Sequence, residues 1–165
     1  IEIKGSDFLC SKKDDFISAA KLTTAAIFSD EFESNLKKYM KDSIGEGAHK
    51  AAWDSLDDTK IVADMRSQIN GTYVTTYGGI KGLWLHDFHN NIAIDGTENG
   101  PIRYNRNPLK KRSVSQISNT LAHELAHLVG LDHPNSKVSL KIANLEPPYV
   151  IGNMIEKIVK AHNTD

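Results

Sequence analysis

Residues 123–134 run His-Glu-Leu-Ala-His-Leu-Val-Gly-Leu-Asp-His-Pro, and their types and spacing point to metal chemistry. His123 and His127 are four positions apart, so on a helix they stand one turn apart on a single face. Two imidazoles placed this way can grip one Zn²⁺ through ring nitrogens at about 2.0–2.1 Å. Gly130 follows three residues after His127, where a helix can stop and turn sharply, because glycine takes φ > 0 without steric cost. That turn can return His133 as a third ligand. Three protein ligands leave a fourth position for water, the mark of a catalytic zinc site rather than a structural one. Glu124, beside the first ligand in sequence, is badly placed to be a ligand itself but can reach such a water.

The spacing H-E-x-x-H-x-x-G-x-x-H resembles that of the metzincin clan of zinc metallopeptidases, with His123, Glu124, His127, Gly130 and His133 at its fixed positions. A chance match at every fixed position in a chain of this length has a probability on the order of 10⁻⁵, so the arrangement is read as a site. The rest of the chain points to no one family within the clan. The resemblance implies an α+β, zincin-like (metzincin) fold: a twisted mixed sheet, an active-site helix and a small C-terminal subdomain. It further implies Zn²⁺ as cofactor, a peptide or protein substrate bound in extended form, and an antiparallel edge strand between residues 80 and 105 that pairs with it. Glu124 is then the general base, taking a proton from the attacking water and passing it to the leaving amine. Metzincins also carry a methionine-bearing turn below the zinc. Met154 is the only methionine after His133, so it is the candidate, with a plain core methionine as the other reading. Some members add a tyrosine ligand two residues after that methionine. Glu156 stands there, so no such ligand is expected. Tyr149, after Pro147-Pro148, is a candidate for an oxyanion-binding hydroxyl or for the pocket lining. Two other readings stay open: a zinc-bearing binding module with weak or lost activity, which the intact Glu124 argues against, and a zinc amidase acting on a non-protein amide such as peptidoglycan.

Several elements must position these residues. Ser113-x-x-Gln116 has capping-box form and starts the histidine-bearing helix. Ile117, Leu121, Leu125 and Leu128 form its apolar stripe, and His123 falls about 200° round from Leu121, so leucines and histidines divide the helix between them. Upstream, helical stripes cover 14–28, the stretch after an Asp30 cap (Phe32, Leu36, Tyr39, Met40), and 57–69 behind Asp57 or Asp58. Strand-like runs are 1–4, 72–77, 80–88, 91–95 and 102–105. Residues 135–149 read as loop, and 153–162 as a last helix. His86 and His89 fall in 84–89 without a full second ligand set at matching spacing, and read as rim or surface histidines.

The 165 residues suit a single catalytic domain, with an N-terminal subdomain to about 130 and a C-terminal one over about 131–165. A 39% hydrophobic, 25% charged composition is that of a globular protein, and a net charge of −1 argues against nucleic acid as partner. The short run Lys110-Lys111-Arg112 reads as a solvated loop. The lone Cys10 cannot form an intrachain disulfide and matches no zinc-blocking pro-segment motif. No apolar run reaches a membrane span of about 18–20 residues. A monomer is expected. The start at Ile1 fits an exported enzyme that has lost its leader, and fits a chosen starting point equally well. Asn70-Gly71-Thr72 has the form of a glycosylation acceptor, a pattern common by chance.

Overall fold

In a computed structural model, residues 1–3, 10–42, 52–77, 93–94, 102–105, 110–133 and 145–163 are described. Five helices dominate them: α1 (Cys10–Ile27), α2 (Asp30–Asp42), α3 (Asp58–Ile69), α4 (Val114–Leu128) and α5 (Pro147–His162). Four short strands accompany them: β1 (Glu2–Ile3), β2 (Tyr73–Tyr77), β3 (Ala93–Ile94) and β4 (Ile102–Asn105), in the order β1-β2-β4-β3. β1–β2 and β2–β4 are parallel, with Val74 opposite Ile102, and β3 is antiparallel to β4, with Ala93 opposite Tyr104.

This corrects the expected fold class. The described residues are mostly helical, and the twisted mixed sheet of a zincin-like (metzincin) fold is not what they are built around. Two of the strands are only two residues long. Among the described residues, Val74, Ile102 and Tyr104 are the strand positions in the buried apolar core, and helices supply most of the rest. The expected strand at 80–88, and both His86 and His89, lie outside the described residues.

Three of the helices show a local cause directly. α3 is capped by Asp57, whose side chain accepts from the Lys60 N–H, and it buries Ile61, Val62, Met65 and Ile69 as its period requires. In α2 the cap falls one residue before the expected Asp30: the Ser29 hydroxyl accepts from the Phe32 N–H. Phe32 and Leu36 are buried, with Tyr39 and Met40 packed against the same core. α5 starts well before the expected 153, at Pro147. Prolines at the first helical positions lose nothing, because the N–H groups there have no partner inside the helix.

α4 packs most extensively against α5, and also against α1. The α4–α5 contact is close at Gly152, where an added Cβ would stand 2.9 Å from the Asn119 carbonyl oxygen. Gly152→Ala gains about 1 kcal/mol of helix propensity but overpacks a backbone contact at a cost of roughly 1–3 kcal/mol. A net loss is expected, read as a lower midpoint of thermal unfolding. Among the described residues, no helix is long and apolar enough to cross a membrane.

Candidate metal centre

α4 is the platform. Ser113 and Gln116 form the reciprocal capping box, with the Gln116 N–H donating to Ser113 Oγ at 3.3 Å and the Ser113 N–H to Gln116 Oε1 at 3.0 Å. Ile117, Leu121 and Leu125 are fully buried and Leu128 nearly so, which fixes the helix's rotation and leaves His123 and His127 on a partly exposed face. Tyr104, buried on β4, donates its hydroxyl to the Ile117 carbonyl at 2.8 Å and braces the helix from the strand side. Arg112 donates to Thr120 Oγ1 at 3.3 Å, so one member of the basic run is tied to α4 rather than merely solvated.

The end of α4 turns as the glycine spacing requires. Gly130 has φ +83°. Its N–H donates to the His127 carbonyl, and the Leu131 N–H reaches back to the Ala126 carbonyl, each at 3.0 Å. This pair of bonds is the Schellman closure of a helix. Leu131 is buried, which pins the returning chain and places His133 opposite the helix face.

The three imidazoles converge. Ring centroids stand 5.0 Å (His123–His127), 5.1 Å (His123–His133) and 4.8 Å (His127–His133) apart. One ligand nitrogen from each lies within 4.8 Å of the others. His123 Nε2 and His133 Nε2 are 3.3 Å apart, which matches two nitrogens about 2.0–2.1 Å from one tetrahedral ion. Three histidines can therefore hold a metal ion here. Among the described residues no fourth His, Cys, Asp or Glu joins the group.

The second nitrogen of two ligands is accounted for. His127 Nδ1 is 2.7 Å from the Leu131 carbonyl, which can only accept, so Nδ1 carries the proton and Nε2 keeps its lone pair. His133 Nδ1 donates to Glu146 Oε2 at 2.8 Å, which leaves its Nε2 facing His123. Orienting bonds of this kind fix the tautomer a metal needs. The His123 pKa is held down from its usual 6.5 to about 3, first by burial and then by His127 and His133. His127 is lowered as well, mainly by burial, against the pull of its Leu131 bond. The rings of His123 and His127 are thus kept neutral, with a lone pair free of a proton.

This depression carries a stability cost in acid. Below about pH 6.5 an unfolded histidine takes a proton that the folded His123 refuses until about pH 3. The metal-free protein is expected to lose stability as pH falls through that window. Its unfolding midpoint should drop between pH 7 and pH 5, and drop less in His123→Phe.

Glu124 lies on α4 and is 8% exposed. Its charge contributes to raising the pKa of both Tyr104 and Tyr149, after burial as the main cause. The Tyr149 ring packs on His123 at 4.5 Å and on His133 at 4.9 Å, so the structure brings it to the site. Burial, then Glu146 and Glu124, raise its pKa and keep its hydroxyl protonated. Met154 is placed differently from the turn the resemblance led one to expect. It sits inside α5, partly buried against the core, because the helix has already begun at Pro147. Glu156, also on α5, accepts from Asn119 Nδ2 at 2.7 Å. Glu146 escaped the sequence reading: its only local signal is an acid before two prolines, and its contact with His133 depends on how α5 folds back.

Compared with protein-family models, curated proteins and solved structures, the chain matches none.

Proposed function

We propose that this protein is a zinc-dependent endopeptidase that hydrolyses peptide bonds with Glu124 as general base. The observation that carries the reading is the convergence of His123, His127 and His133, two of their Nε2 atoms 3.3 Å apart, with Glu124 on the same helix. The donor set favours zinc: three neutral imidazoles are a known catalytic set for it, whereas magnesium and calcium prefer oxygen ligands. The resemblance of residues 123–133 to the metzincin pattern supports the same chemistry.

A zinc ion held here supplies Lewis-acid polarisation of the scissile carbonyl and lowers the pKa of water toward about 7. The chain's own residues do the rest. Glu124 accepts a proton as water attacks the carbonyl carbon, and returns it to the leaving amine as the C–N bond breaks. The Tyr149 hydroxyl, kept protonated, is suited to donate to the oxyanion that develops. The Glu146 and Leu131 acceptors hold His133 and His127 in position.

The test is metal analysis of the purified protein together with cleavage of a library of extended peptides. One zinc per chain and cleavage abolished by a chelator, then restored by zinc, is the expected result. Bound zinc with no cleavage of any peptide would sink the peptidase reading.

A further inference from the structure

Glu146 combines features that a helix-starting residue alone does not explain. It is the N-cap of α5, yet its side chain makes no capping hydrogen bond. Pro147 and Pro148 have no N–H to offer, and the carboxylate does not take the N–H of the third helical position, Tyr149, the position that Ser29, Asp57 and Ser113 bond in their own helices. The carboxylate instead accepts from His133 Nδ1 at 2.8 Å, with only 3% of the side chain exposed. Burying a carboxylate costs free energy unless it is paired and hydrogen-bonded, and His133 supplies such a partner. The backbone just before it is anchored from a distant part of the chain. Trp53, 2% exposed, donates its indole N–H to the Leu145 carbonyl at 3.0 Å.

We propose that Glu146 is a positioning residue for the metal ligand His133. It fixes the imidazole with Nδ1 protonated, aims Nε2 at the centre and strengthens it as a donor. Trp53 holds the segment from which Glu146 acts. The inference rests on His133 being a metal ligand, and it deepens that reading: the centre is completed by a carboxylate from the residue that precedes α5, which no part of the 123–133 pattern contains.

The test measures zinc affinity of the full chain by competition with a chromophoric chelator, for the parent, Glu146→Gln and Glu146→Ser. Helix content and the unfolding midpoint of each metal-free protein are measured alongside. Serine is a preferred N-cap, so a purely structural role would be rescued or improved by it. Loss of an orienting partner costs about 10–100-fold in metal affinity. The expected result is that loss in Glu146→Ser, with helix content unchanged. A smaller loss is expected in Glu146→Gln, whose side-chain carbonyl can still accept from Nδ1–H. The visible spectrum of the Co²⁺-loaded parent should also change in the serine variant. Either variant binding zinc as tightly as the parent, or serine binding more tightly than glutamine, would overturn the role. A parent that takes up no zinc would instead bring down the metal centre itself.

Discussion

Glu124→Gln is expected to keep its zinc and lose at least about 100-fold in peptide hydrolysis, equivalent to roughly 2.7 kcal/mol of transition-state stabilisation. Glutamine has nearly the shape of glutamate, so a side chain only 8% exposed on α4 can be exchanged with little disturbance of the helix. It lacks the carboxylate's charge and, with it, the ability to take up a proton. The loss should therefore fall on kcat, with KM and metal content close to the parent. The larger truncation Glu124→Ala should lose as much rate and some stability besides, since it empties a packed position. A zinc-loaded Glu124→Gln protein that cleaves peptides at near-parent rate would remove Glu124 from the reaction and leave the centre with another purpose.

His133→Ala should have the second largest effect, and it should appear in metal binding before it appears in rate. Zinc held by structural sites is worth roughly 10–16 kcal/mol over four ligands, so one ligand carries about 3 kcal/mol, or at least about 100-fold in affinity. The substitution also takes from the buried Glu146 its imidazole partner, at about 1–3 kcal/mol of stability even without metal. Dialysis against a chelator, followed by metal analysis, measures the first loss, and thermal unfolding of the metal-free chain measures the second. His162→Ala is the control. That histidine is exposed, pairs with Glu31 on the surface, and should change metal content not at all and stability by less than about 0.5 kcal/mol. Equal zinc retention in His133→Ala and parent would exclude the third ligand.

What could be read ahead of the structure was set by how local the physics is. The α4 platform was fully legible: its cap, its leucine stripe, its stopping glycine and its two histidines all lie within residues 113–130, and each acts on near neighbours. The same holds for the Asp57 cap and apolar face of α3. The small strands Tyr73–Tyr77 and Ile102–Asn105 were also found, since β-branched and aromatic residues in short runs mark them. The fold class failed because it came from the resemblance rather than from these residues. Short alternating runs say that strands exist, but not how broad a sheet they make or what share of the core it carries. The start of α5 failed for a different reason. Pro147-Pro148 reads as a break in a chain of unknown context, although the same pair is harmless in the first helical turn. Glu146 followed that error: once α5 begins at 147, Glu146 is at its mouth, while Met154 lies on the helix already expected over 153–162.

The three histidines that could hold a metal ion all fall between residues 123 and 133, joined by one helical turn and the closure at Gly130. Bringing the ends of so brief a segment together costs little chain entropy, because that cost rises only slowly with span and is small here. Assembling the three imidazoles is thus largely a short-range event. Glu146 and Tyr149 arrive over a wider span, on an element whose lead-in is moored to Trp53. The three imidazoles and the groups that flank them, Glu146 and Tyr149, are therefore brought together by chain closures of very different span.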